Sequence, residues 1–322
     1  MRFVIYGAGA IGGVLGGRLF QAGNDVTLVA RGEHGRVLRE RGLELEIGDE
    51  LAVLKVPTVE HPSALTLDAG DVVILTMKSQ DTAAALTELA AHAPPGIGVV
   101  CAQNGVDNER QALRRFDDVY GMHVVCPVSF LQPGRVEAQW SPIPGLFDVG
   151  RYPSGVDDAA DTIAATLRAA SLDAEAQPAI MRWKHRKLII NLSNSARALC
   201  GDGDGVAPLV GRLWEEGEAV LQAAGIDVAT RDEDKERRGA FVPRPMGLDS
   251  SSQSLARGSG SIESDYLNGE IVLLGRLHGV PTPANAVVQR LANEAAAAGR
   301  PPGSLSAAEV IVAIGSASAS PG

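Results

Sequence analysis

Cysteine is scarce in this chain: three occur in 322 residues, Cys101, Cys126 and Cys200. Their spacing fits neither a disulfide framework nor a metal site. A disulfide-stapled scaffold and a zinc module are therefore excluded, and the three are expected to be reduced, buried, small hydrophobes in a cytoplasmic protein. Long apolar runs are missing as well. None approaches the roughly 20 residues that span a bilayer, so no membrane partner is expected. Positive charge is in deficit, with 29 Lys and Arg against 39 Asp and Glu and a net charge of −10. No basic cluster is long enough for nucleic-acid binding. There is no internal repeat, and the N-terminus reads as a strand, not as a signal peptide. What remains is a chain that is 45% hydrophobic and 21% charged, long enough for one large domain or two ordinary ones.

What the chain does have is glycine in a telling place. The apolar run Phe3 to Tyr6 is followed at once by Gly7-Ala8-Gly9-Ala10-Ile11-Gly12, and the pattern then reads as a helix to Gln21. This is G-x-G-x-x-G between a strand and a helix. Gly7 permits a tight turn, Gly9 lets the backbone approach a pyrophosphate, and Gly12 lets helix and strand pack closely. The helix N-terminus offers its free N–H groups to the phosphates.

Short β-branched runs alternate with helical stretches through the first half. Strands are expected at 2–6, 26–29, 72–76, 99–102 and 119–126, with weaker ones at 135–140 and 146–149. Helices are expected at 80–93, 108–115 and 156–170. The alternation predicts an α/β domain, a doubly wound parallel sheet with helices on both faces. From Pro178 onward only helical periods appear, at 178–199, 206–224, 261–278, 285–298 and 307–314. The expected organisation is a dinucleotide-binding domain over 1–177, a helical domain over 178–315 and a disordered tail over 316–322. Residues 230–255 read as a long polar stretch, in which the roles of Arg237, Arg238 and Arg244 are open.

The second strand ends Val29-Ala30-Arg31, with no carboxylate where an NAD site would place one. A guanidinium suits a ribose 2′-phosphate, which favours NADP(H). Glu33, two residues on, keeps NAD as a minority option. The third and fourth parallel strands run into Lys78 and into Gln103-Asn104-Gly105. Ligands of open α/β sheets lie beyond the carboxyl ends of the strands, so Lys78 and Asn104 are candidate cofactor neighbours. An Asn-Gly turn and a surface lysine are the plainer alternatives. In the helical half, Lys187, Asn191 and Ser195 recur every four residues and share one helix face, with Lys184 one turn earlier on nearly the same face. Such a stripe is either a wet helix face or the wall of a cleft. In a cleft, the lysine donates a proton and the asparagine holds a carboxylate or keto oxygen.

Taken in order, GAGAIG, the Lys78 strand end, Gln103-Asn104-Gly105, Lys187-x-x-x-Asn191, Glu263-x-Asp265-Tyr266-Leu267-Asn268-Gly269 and Gly279-Val280-Pro281-Thr282-Pro283-Ala284-Asn285 resemble the ketopantoate reductases (2-dehydropantoate 2-reductases). The resemblance runs from Met1 to about Ala298. It implies a Rossmann domain, a C-terminal domain like that of 6-phosphogluconate dehydrogenase and an active site in the cleft between them. It also implies NADPH-dependent reduction of a small 2-keto acid, above all ketopantoate in pantothenate biosynthesis. Carried over by motif, Gly7, Ala8, Gly9, Ala10, Ile11, Gly12, Arg31, Lys78, Asn104 and Glu263 are cofactor-side residues. Lys187 and Glu263 are catalytic. Asn191, Ser195 and a serine of the 250–252 run, Ser250 or Ser251, bind substrate. The resemblance implies no metal. A homodimer is one option for the oligomeric state, which the sequence leaves open.

Two departures stand out. Ser195 replaces a second substrate asparagine and is expected to leave a gap, and the Gly201–Gly205 segment carries aspartates in place of a third. They favour a family member acting on a different 2-keto or β-keto acid as the alternative. A non-catalytic NADP-binding redox sensor is the alternative of another class, against which Lys187 and Glu263 both speak.

Overall fold

Four short strands make the core of the sheet; they are apolar but for Thr27 and buried but for the half-buried Gly98. β1 (Phe3–Tyr6), β2 (Val26–Val29), β6 (Val72–Leu75) and β7 (Gly98–Cys101) lie side by side and parallel. Continuous burial is what a parallel sheet covered on two sides requires. The computed structural model describes residues 1–203, 205–239 and 247–319, with no side chains described beyond 317. It divides into two compact units, Met1–Lys184 with Lys235–Gly247, and His185–Asp234 with Leu248–Gly322.

The remaining elements of the first unit follow in chain order. They are α1 (Ala10–Gln21), α2 (Gly32–Arg41), β3 (Leu43–Ile47), β4 (Glu50–Leu54), β5 (Thr58–Val59), α3 (Thr82–Ala90), α4 (Asn108–Leu113), β8 (Asp118–Val125), β9 (Val128–Gln132), β10 (Arg135–Ala138), β11 (Leu146–Arg151) and α5 (Asp158–Ala169). The main sheet has the order β11-β8-β7-β6-β1-β2-β5, with only β11 antiparallel to its neighbour. Its alternating side chains feed two cores. Phe3, Ile5, Leu28 and Ile74 pack with Leu15 and Leu19 of α1 and Ile163 and Leu167 of α5. Val4, Val73, Leu75 and Val99 pack with Leu86 and Leu89 of α3 and Ala112 of α4. This is the doubly wound α/β arrangement expected from the alternating pattern.

A second sheet, of order β4-β3-β10-β9, was not anticipated between or beyond the parallel strands. It covers the far side of α1, and the glycines of α1 show how closely. A Cβ on Gly12 or Gly16 would strike Gly7 O at 2.3 Å or the Leu28 side chain at 2.6 Å, on the main-sheet side. A Cβ on Gly13 or Gly17 would strike Val136 or Leu45 of the second sheet, each at 2.7 Å. The pairs at 12–13 and 16–17 thus form two bare ridges, one per sheet.

The second unit is helical. α6 (Ile180–Cys200) enters it at His185 and is followed by α7 (Val206–Ala223), α8 (Arg231–Arg238), whose residues from Lys235 onward belong to the first unit, α9 (Ser250–Ala256), α10 (Asn268–His278), α11 (Pro283–Ala297) and α12 (Ala307–Ala319). In the polar stretch 230–255, expected to be irregular, the described residues include α8 and most of α9, and residues 240–246 lie outside them. Thr230 and Glu233 form a reciprocal capping box at the start of α8: the Thr230 N–H donates to the Glu233 carboxylate at 2.6 Å, and the Glu233 N–H donates to Thr230 Oγ1 at 3.1 Å. Acids in its first turn and bases in its last suit the helix dipole. The expected tail, 316–322, begins inside α12, and residues 320–322 lie outside the described residues, as do Arg244 and Asp204.

Asn268 and Asn285 prove to be struts. Asn268 Nδ2 donates to Leu192 O at 3.2 Å and to Asn285 Oδ1 at 3.0 Å. Asn285 Nδ2 donates to Leu213 O and to Glu216, whose carboxylate also accepts the Ala284 and Asn285 N–H groups at the start of α11. Cys101 is buried, whereas Cys126 and Cys200 are only half-buried, a correction to the expectation for all three; none of them forms a disulfide among the described residues. Among the described residues no helix is long and apolar enough to cross a membrane.

Candidate active site

The parallel register aligns the strand ends: Tyr6 pairs with Val29 and with Leu75, and Leu75 pairs with Cys101. Residues 7, 30, 76 and 102 therefore leave the sheet along one edge. This edge carries the glycine loop, Arg31, Lys78 and Asn104.

Gly7 adopts φ +106°, and a Cβ there would lie 2.7 Å from the Met77 backbone nitrogen, so both conformation and space require glycine. The Thr76 hydroxyl donates to Gly7 O at 2.6 Å and stitches the loop to the end of β6. A Cβ on Gly9 would meet nothing nearer than Phe130 at 3.8 Å, which leaves the loop backbone open to a ligand. The first helical bond of α1 runs from Gly13 N–H to Gly9 O, so the N–H groups of Ala10, Ile11 and Gly12 precede it. No acid occupies the first turn of α1. An uncompensated helix N-terminus beside bare glycine backbone fits the pyrophosphate of a dinucleotide.

Arg31 is exposed at the position just before α2, where its side chain makes no capping hydrogen bond; Ala30 before it is buried and carries no charge. Glu33 is engaged by Arg36 through two bonds, at 2.8 and 2.6 Å. Lys78 and Asn104 stand at the ends of β6 and β7, in front of a buried polar network that the sequence reading missed. Ser79 Oγ and Asn108 Nδ2 both donate to Asn104 O, at 3.1 and 2.9 Å. Thr82 Oγ1 donates to Asn108 Oδ1, and Gln103 Nε2 donates to Thr82 Oγ1. These buried bonds lock the two strand-end loops together. The only local signal was Asn108, one helical turn after Asn104.

Lys184 and Lys187 separate clearly. Lys184, the last residue of the first unit, is buried and 2.5 Å from the carboxylate of fully buried Glu109. It also donates to Cys101 O at 3.2 Å and to Gln103 O at 3.0 Å. Burial pushes the Glu109 carboxyl up, and the lysine opposes that shift. Lys184 is thus tied to the end of β7 as a fastening. Lys187, one turn later and in the second unit, is half-buried.

In the second unit Asn191 is buried on the Lys187 face of α6, and Glu263 is buried in the turn Glu263–Tyr266 before α10. Ser195, expected to face a gap, is fully buried, and its hydroxyl donates to Ser264 Oγ at 3.3 Å. At that level of the stripe the serine hydroxyl is thus paired with a neighbouring serine within the unit. Asp249 caps α9 by accepting from the Ser251 and Ser252 N–H groups. The hydroxyls of Ser250 and Ser251 are buried with no hydrogen-bond partner among the described residues. Two unmatched hydroxyls side by side are what a polar substrate would satisfy. Among the described residues no cluster of three His, Cys, Asp or Glu could hold a metal.

Arg237 was missed as a structural residue. Its guanidinium grips the fully buried Asp148 carboxylate and also reaches Asp173 at 3.1 Å, which pins the end of α8 to β11 and to the segment that follows α5.

Known proteins match this chain along most of its length. The family model described as Ketopantoate reductase PanE/ApbA matches residues 3–153, and Ketopantoate reductase PanE/ApbA C terminal matches residues 179–296. A 2-dehydropantoate 2-reductase of Pyrococcus horikoshii is 28% identical over 308 residues, covering 90% of this chain and 96% of that one. The crystal structure of a PanE/ApbA family ketopantoate reductase from Ralstonia eutropha JMP134 aligns with a TM-score of 0.79 at 29% identity, covering 93% of this chain and 99% of its own. A D-mandelate dehydrogenase solved with NADH and anilino(oxo)acetate shares the fold, with a TM-score of 0.82 at 23% identity over 93% and 99%. With both halves matched in order, and a parallel sheet followed by a helical region as in those structures, the chain belongs to the ketopantoate reductase family and is an oxidoreductase of the 2-dehydropantoate 2-reductase kind.

Proposed function

We propose that this protein uses NADPH to reduce a small 2-keto acid to the 2-hydroxy acid, with ketopantoate the leading substrate. The observation that carries this reading is the edge of the parallel sheet. The open glycine loop, the exposed Arg31 and the loops of Lys78 and Asn104 lie there together, with no carboxylate at the end of β2. The N–H groups at the start of α1 would bind the pyrophosphate. Arg31 would bind a ribose 2′-phosphate, a charge-assisted contact that a neutral hydroxyl cannot match. Glu33, held by Arg36, is poorly suited to a ribose hydroxyl.

The nicotinamide, when bound, supplies the hydride for the C2 keto carbon. Lys187 Nζ would hold the keto oxygen and give it a proton as the alkoxide forms. Asn191 and the unmatched hydroxyls of Ser250 and Ser251 would orient the substrate oxygens. Glu263 would position the lysine and the cofactor ribose. Small polar metabolites as substrate and cofactor are consistent with a cytoplasmic enzyme.

The paired position at Ser195 favours a second reading, in which the preferred keto acid differs from ketopantoate. One assay tests both: loss of NADPH absorbance on adding ketopantoate and then a panel of 2-keto and β-keto acids. Turnover of ketopantoate above the rest supports the first reading, and preference for another acid the second. No turnover with any of them, despite tight NADPH binding, would point to a redox sensor.

A further inference from the structure

One side chain outside the recognised site residues holds the glycine loop from behind. His34 lies in the first turn of α2, three residues after Arg31. Its Nδ1 accepts the Gly134 N–H at 2.9 Å, so that nitrogen carries no proton. The ring proton therefore resides on Nε2, which stands 2.7 Å from Ala8 O and donates to it. The two partners thus fix both tautomer and orientation. The ring also meets Phe130 edge-on, with centroids 4.7 Å apart, and Phe130 is the side chain nearest the open side of Gly9. Burial pulls the imidazole below its ordinary pKa, against a smaller opposing effect of the Ala8 carbonyl.

The bond to Ala8 acts on one peptide plane. The carbonyl of the Ala8–Gly9 peptide is held by His34, and its N–H donates to Gly7 O at 2.8 Å. The next carbonyl, Gly9 O, accepts the first bond of α1. With the plane fixed at both ends, the following N–H groups of Ala10, Ile11 and Gly12 are aimed before any ligand arrives. A loop of glycine and alanine has no side chains of its own to impose that order. Within α2, Gly35 lies so close to the turn that leaves β2 that a Cβ would sit 2.0 Å from Ala30 O.

We propose that His34 is a positioning residue for the dinucleotide. As a neutral, Nε2-protonated imidazole it locks the phosphate-facing loop at Ala8 to the start of α2 and to Gly134 of the second sheet, so that the loop is preorganised for a pyrophosphate. The inference rests on the dinucleotide reading above.

The two ring nitrogens can be replaced one at a time. In His34→Gln the amide nitrogen can reach Ala8 O as Nε2 does. In His34→Asn the amide oxygen can serve Gly134 as Nδ1 does but falls short of Ala8. His34→Ala serves neither. The measurements are calorimetric NADPH affinity of the ligand-free protein, its melting temperature, and the split of KM for NADPH against kcat. The asparagine and alanine variants are expected to bind NADPH about tenfold more weakly, the scale of one lost hydrogen bond. The glutamine variant should stay within about twofold of the parent, and kcat at saturating NADPH should be the same in all four. Parent-like affinity in the asparagine variant would overturn the inference. So would affinity losses that follow melting temperature whichever nitrogen is replaced, since His34 would then be a packing residue only. A parent protein that binds neither NADPH nor NADH would overturn the dinucleotide reading itself, a result distinct from either.

Discussion

The two units hold their candidate residues in different ways. In the first, the candidate features are mostly backbone: a glycine loop, the N–H groups at the start of α1 and the ends of strands whose register aligns them, with Arg31 the side chain proposed to read the cofactor. In the second the candidates are side chains, Lys187 and Asn191 on α6, Ser250 and Ser251 on α9 and Glu263 in the turn before α10. A backbone site tolerates change in its surroundings as long as the turn survives, and it recognises what all dinucleotides share. A side-chain site on separate elements is altered by single substitutions. Division of labour follows: cofactor affinity should depend mainly on the first unit, with Glu263 as the second unit's contribution, and the chemical step and keto-acid choice on the second.

The sharpest test of that division compares two lysines on one helix. Lys187→Ala should lower kcat by at least about a hundredfold, the lower end for a general acid, while NADPH affinity stays the same. A larger kcat loss in Lys184→Ala, measured at a temperature where both variants are folded, would move the catalytic role to the wrong unit. The complementary effect is on stability. Removing one member of the buried Lys184–Glu109 pair, by Lys184→Met or Glu109→Gln, should cost about 3–5 kcal/mol in urea unfolding. The double variant Lys184→Met/Glu109→Leu should cost less than the sum, because no orphaned charge remains.

Arg31→Ala should weaken NADPH by about one to two decades and leave NADH unchanged, bringing the two cofactors close together. Equal binding of both by the parent would show that Arg31 reads nothing. Ser195→Asn, which adds atoms at a fully buried position, should lower stability by about 1–3 kcal/mol and bring no gain in kcat/KM for ketopantoate. A gain would mean that the pairing of Ser195 with Ser264 gives way and that the missing amide does limit this enzyme.

The same contrast governs what could be read from the sequence. The glycine loop and the strand ends were legible because turn chemistry and parallel-strand apolarity are local patterns. Lys187 and Asn191 were legible as a four-residue period. The second sheet was not, although Leu43-Glu44-Leu45-Glu46-Ile47 alternates. Its strands are short and pair across some 90 residues of chain, β3 with β10. Arg237 sits in a run of charges that looks solvated, and its partner Asp148 is 89 residues away. No window of sequence contains both. The partner of Ser195 was equally hidden: Ser264 is 69 residues on. His34 gave no signal at all, since both its partners are main-chain atoms.

The bare ridges of α1 have a consequence for how the rim of the cofactor edge is built. Because no side chain intervenes at residues 12, 13, 16 and 17, the backbone girth of one helix sets the gap between the two sheets. The helix is in effect a gauge block. It holds the second sheet at a constant height over the first, and with it Phe130 of β9 and Gly134, the residues that bracket the loop. A methyl group added to either ridge would lift one sheet from the other, and the rim would carry that error to the phosphates some distance from the change.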